Sequence, residues 1–98
     1  MKTHFELSDA RYIYRVVSAQ GRGHAQDRIY IEEEFIVPDG MPQTVPPLRT
    51  LFATTNLRNI GSKSEGTHLL HEACHLVVRA CESKRGRAEM LRKLSRSA

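Results

Sequence analysis

The sequence predicts a small α+β protein of one domain, residues 1–98. Three observations carry that prediction. Arg28 to Val37 alternates, with Ile29, Ile31, Phe35 and Val37 on one face, as a half-buried strand requires. His68 to Ser83 repeats its apolar residues every three to four positions, as an amphipathic helix requires. All four prolines fall between Pro38 and Pro47, which separates a strand-rich half from a helical half.

An N-terminal helix is expected first. Ser8 can cap it, Asp9 suits its positive end and Gly21 can end it. Tyr12, Ile13, Val16, Val17 and Gln20 recur at helical spacing, although their β-branched and aromatic character favours a strand. Gly21-Arg22-Gly23 reads as a turn. The strand over 28–37 follows, its core face interrupted by Glu33, with Glu32, Glu33 and Glu34 suiting an edge or a docking surface. Residues 38–48 form a Pro-rich loop around Asp39-Gly40.

Arg49 to Asn56 reads as a further strand, and 60–66 as a polar connection. Thr67 or Ser64 then caps the long helix. Leu69, Leu70, Ala73, Cys74, Leu76, Val77, Val78, Ala80 and Cys81 fill its apolar arc, and the histidines its polar one. Gly86 is expected to break this helix. A short basic helix follows within 84–98, burying Ala88, Met90, Leu91 and Leu94. The expected architecture is thus an N-terminal helix, two or three antiparallel strands, a long amphipathic helix and a short basic one.

Composition narrows the class. The apolar fraction of 40% and charged fraction of 27% are those of a soluble globular chain, and the absence of tryptophan limits the core to a modest aliphatic one. The pI near 9.4 conceals a segregation of charge. Arg79 to Arg96 holds seven basic residues against Glu82 and Glu89, while Asp27 to Asp39 holds five acidic residues against Arg28. Cys74 and Cys81 on one helix would stand on the order of 10 Å apart, too far for a disulfide, so they read as buried free thiols of a reducing compartment. No apolar run approaches a membrane span and the N-terminus lacks a signal-peptide core, so a cytoplasmic protein without membrane contact is expected.

One stretch carries the residue types of a reaction centre. His71-Glu72-Ala73-Cys74-His75 has the His-Glu-x-x-His spacing, which sets two imidazoles one helical turn apart with a carboxylate between them. The stretch Thr67 to His75 resembles the active helix of SprT-like metalloproteases, and Leu51 to Asn56 falls where their substrate-lining strand lies. The resemblance spans 49–78. It implies that His71 and His75 bind zinc and that Glu72 is the general base. The family takes its third ligand from a downstream histidine, and no histidine follows His75. Glu82 and His68 stand two turns from His75 along the same helix. Glu89 lacks the flanking pattern of the glutamate used by related zinc hydrolases, and His4 or His24 would have to fold over the site.

The expected function is therefore that of a small basic protein that binds without catalysis and has no cofactor. Its partner would be a protein that processes nucleic acid, or nucleic acid itself. Size and composition match phage- or plasmid-type accessory factors that inhibit a host enzyme. Arg85, Arg87, Arg92, Lys93 and Arg96 are the candidate contacts to phosphates, and Glu32 and Glu34 to a protein. The alternative is a minimal zinc peptidase built on His71, Glu72 and His75.

Overall fold

A computed structural model describes residues 1–42, 45–57 and 64–97, the side chains of 95–97 excepted. The chain starts with four strands: β1 (Lys2–Ser8), β2 (Tyr12–Ala19), β3 (Asp27–Phe35) and β4 (Leu48–Thr55). They form one antiparallel sheet in the order β1-β2-β3-β4, each paired with its neighbour in sequence. Two helices follow, α1 (Glu65–Glu82) and α2 (Lys84–Ser97). The molecule is a single small α+β domain with the helices on one face of the sheet.

The expected N-terminal helix is not there: residues 2–19 are a β-hairpin. Tyr12, Ile13, Tyr14, Val16 and Val17 are β-branched or aromatic, and this preference outweighs their helical spacing. Asp9 caps a turn and not a helix. Its Oδ1 accepts the backbone N–H groups of Arg11 and Tyr12 at 2.7 and 2.8 Å. Gly21 likewise ends no helix, since it opens the β2–β3 connection, where its N–H donates to Asp27. The strand expected over 28–37 is β3, the one over 49–56 is β4, and the expected connection over 60–66 lies mostly outside the described residues.

Period-two alternation sorts the sheet into two faces. Tyr14, Val16, Ile29, Ile31 and Phe52 point toward the helices and are buried with Leu70, Ala73, Leu76, Val77, Ala80, Met90 and Leu94. Single-residue bulges at His4 in β1 and Phe52 in β4 shift the register and keep Phe5 and Ala53 against this core. The opposite face is polar. There Arg15 bridges Glu6 at 2.9 Å and Glu34 at 3.4 Å, and Arg49 holds Glu32 at 2.7 Å. Each of these pairs joins neighbouring strands.

Two anchors position the helices. At the start of α1, Ser64 is the N-cap, its Oγ accepting the Thr67 N–H at 3.2 Å, and Gly66 packs against Asn56 and Leu57. At the other end Ser83 separates the helices, and its Oγ accepts the Gly86 N–H at 3.0 Å. The break thus falls at Ser83, three residues before the expected glycine, which lies inside α2. Gly86 has a packing role: a Cβ there would stand 2.0 Å from the Arg79 carbonyl oxygen. Met90 and Leu94 are buried as expected, Leu91 is half-buried, and Ala88 is exposed, because Gly86 and not Ala88 faces α1.

Gly86→Ala separates two opposed effects. Helix propensity alone would stabilise the variant by about 1 kcal/mol, whereas backbone-to-backbone overpacking should destabilise it by about 1–3 kcal/mol. Urea unfolding is expected to give a lower midpoint than the wild type. A higher midpoint would show that the two helices do not approach this closely.

Candidate functional site

α1 realises the histidine spacing on its outer surface. His68, His71 and His75 are exposed, and Glu72 is half-buried. His71 and His75 lie one turn apart on that surface, so two imidazoles can face one ion. The remaining donors stand elsewhere. His4 lies in β1, with its Nε2 2.7 Å from the Ser18 Oγ, and His24 is exposed in the β2–β3 connection. Glu89 is engaged by Arg79 at 3.1 Å. Among the described residues no three His, Cys, Asp or Glu side chains lie close enough to share an ion, and residues 43–44, 58–63 and 95–98 contain none of these types. Among the described residues, His71 and His75 are therefore the donors that share this surface, whereas a catalytic zinc takes three protein ligands.

The charged candidates divide into engaged and open groups. Glu32 and Glu34 are engaged by Arg49 and Arg15 on the polar face of the sheet. Arg87 reaches inward and places a two-pronged fork on Glu33, at 2.9 and 3.2 Å. Its guanidinium also stands 4.7 Å from the centroid of the Tyr12 ring. The Glu33 bonds, above all, hold Arg87 firmly charged. Arg85, Arg92 and Lys93 are exposed on α2, and Arg96 occupies its last turn with a side chain outside the described ones. At 100° per residue, Arg85 and Arg92 fall within about 20° of each other, on the side opposite Met90.

A second feature escaped the sequence. The β1–β2 turn faces the α1–α2 junction across an open cleft of about 440 Å³ lined by Asp9, Arg11, Tyr12, Cys81, Lys84 and Arg87, among others. Residues 9–12 and 80–87 are far apart in the sequence and are brought together by the packing of the helices on the sheet, so no local pattern announces it. Burial first, then Asp9, pushes the Cys81 thiol above its ordinary value of 9.0.

No protein-family model, curated protein sequence or solved structure matches this chain. What can be said of its class rests on the fold, a four-stranded antiparallel meander covered by a helical hairpin. Among the described residues no helix is long and apolar enough to cross a membrane.

The ionisations next to the core define a pH window. Burial, aided by Lys2, lowers His4 below its ordinary 6.5. Burial raises Cys74 and Cys81 above 9.0, and burial with the nearby Glu33 raises Tyr14 above 10.0. The Tyr14 hydroxyl is buried and has no partner in bonding geometry among the described residues, and the nearby Arg87 guanidinium offsets part of the rise. Folding thus opposes protonation of His4 and ionisation of the other three groups. The His4 contribution is complete above 6.5 and is lost as pH falls below it, whereas the thiol and phenol contributions are complete below 9.0 and are lost as pH rises. Urea midpoints should therefore be flat between these values and fall on both sides, with a shallower acid limb in His4→Gln. A midpoint that climbs on acidification from neutrality would contradict the His4 assignment.

Proposed function

We propose that the chain is a small non-catalytic binding protein of the cytoplasm, an accessory factor that acts on nucleic acid or on a protein that processes it. The observation that carries this reading is the state of the charges on α2. Arg85 and Arg92 are exposed on one line of the helix and have no ion-pair partner among the described residues. Lys93 lies exposed on the same helix, and the one acidic residue there, Glu89, is engaged by Arg79. Such a stripe spans about 10 Å between Arg85 and Arg92, which suits successive phosphates or the acidic surface of a nucleic-acid enzyme.

With about four phosphate contacts, affinity for duplex DNA or RNA should fall by about 100-fold between 50 and 200 mM salt. The double variant Arg85→Glu, Arg92→Glu should weaken binding at every salt concentration while melting no lower than the wild type, since an acidic residue suits the first turn of α2. Fluorescence anisotropy reads both effects. Salt-independent binding, or binding unchanged in the variant, would remove direct nucleic-acid contact from the proposal and leave the protein partner.

A zinc-peptidase reading retains one supporting observation, the exposed His71–His75 pair with Glu72 beside it on a well-formed helix. It needs a third ligand from outside the donors this chain brings together. Metal analysis of protein purified without a histidine tag decides the matter. Near-stoichiometric zinc that disappears in His71→Ala would favour the peptidase, and trace zinc unchanged in that variant would end it.

A further inference from the structure

We infer that the cleft between the β1–β2 turn and the α1–α2 junction is a docking site for an acidic segment of a partner protein carrying a large apolar side chain. The inference rests on the reading of the chain as a contact protein and uses a different surface from the outer stripe of α2.

Three independent features point to that occupant. The first is unanswered positive charge. Arg11, Lys84 and Arg87 line the cleft against Asp9 alone. Glu33 already neutralises Arg87, and the Asp9 carboxylate accepts the Arg11 and Tyr12 N–H groups through one oxygen. Arg11 and Lys84 are both exposed, and neither side chain has an ion-pair partner among the described residues. A ligand that brings carboxylates meets two waiting cations.

The second feature is a local preference from which the sequence departs. The positive end of a helix favours acidic residues, yet the first turn of α2 contains none and begins Lys84-Arg85. Sequences tend to depart from local preference where function requires it. An anion at the mouth of the cleft would relieve this repulsion.

The third feature distinguishes a protein segment from a small anion. Ala80 and the neutral Cys81 thiol give the cleft an apolar wall. The apolar surface continues beyond it: the Phe35 ring packs edge-on against Tyr12, and the Ile36 N–H donates to the Arg11 carbonyl. Of the six exposed large apolar residues among the described ones, five (Phe35, Ile36, Met41, Val45 and Leu48) fall in the β3–β4 connection or beside it, at the same end of the sheet. Apolar surface gathered at one end marks a contact surface more than scattered exposure does. Phosphate alone would leave it uncovered. A short chain segment can fill a cleft of this volume with one large side chain, lay its carboxylates on Arg11 and Lys84, and cover Phe35 and Ile36.

Selection of a random dodecapeptide display library on the 98-residue chain tests this, with counter-selection on the Arg11→Glu, Lys84→Glu variant. Enriched peptides should combine Asp or Glu with at least one Leu, Ile, Phe or Trp. In amide-resolved NMR the best of them should shift Arg11, Tyr12, Cys81 and Lys84. Arg11→Glu should weaken its binding at least tenfold, and Arg92→Glu should leave it within twofold. Lys84→Glu gives a signature that a merely structural residue would not: a higher melting temperature together with lost peptide binding. Enrichment of basic or purely apolar peptides, no enrichment over the variant, equal shifts with inorganic phosphate, or shifts confined to the outer stripe of α2 would each overturn the inference. Peptide binding without any oligonucleotide binding would uphold it while removing nucleic acid from the proposed function, so the two readings fail separately.

Discussion

The structure depends on an ion pair placed where alternation calls for an apolar residue. Glu33 lies on the core-facing side of β3, in register opposite Tyr14, and its side chain is only 13% exposed. A carboxylate so placed would be costly without a partner. Arg87 supplies one from 54 residues away, with a fork that accepts little change in distance or angle. The pair thereby fixes where the start of α2 meets the sheet. Its guanidinium also covers Tyr12, which in turn packs against Tyr14 and Phe35. Replacing both charges by apolar groups could give an equally stable protein, so the pair is better understood as setting the position of α2 than as adding strength.

That placement explains which parts of the fold were legible in the sequence. β3, β4 and α1 follow from local periodicity, because each has one face in the core and one in water. β2 misled because Tyr12, Ile13, Val16 and Val17 satisfy helical spacing while every side chain in Tyr14–Ser18 except Arg15 is buried. Val17 is buried although it lies on the face away from the helices, and this breaks the alternation that would identify the strand. Gly86 misled for a different reason. A glycine in a basic helix reads as a break, and its use as a point of close helix contact depends on Arg79, which local sequence does not place opposite it.

The histidine motif was fully legible as a helix and only partly as a site. Spacing along α1 determines that His71 and His75 share a surface, and the structure agrees. A zinc centre also needs convergence from another element, and that is a tertiary property. Here α2 folds back across α1, yet its one carboxylate at that boundary, Glu89, bonds to Arg79. In the sheet, the His4 Nε2 lies 2.7 Å from the Ser18 Oγ.

The charge pattern reads differently once the partners are known. Glu32, Glu33 and Glu34 form the most acidic run of the sequence, which made them candidates for docking. Strand geometry sends them to alternate faces, and each meets an arginine from another element: Arg49, Arg87 and Arg15 respectively. The acidic run is thereby neutralised inside the fold. Among the described residues, the exposed cations with no such partner include Arg11 and Lys84 at the cleft and Arg85 and Arg92 along α2. Because Lys84 and Arg85 are adjacent, helical rotation turns them about 100° apart. One faces the cleft and the other the outer surface, so a single break at Ser83 serves two contact faces with the same helix. A partner that engaged both would meet acid-preferring surfaces around a common corner, and its footprint would have to bend across the α1–α2 junction.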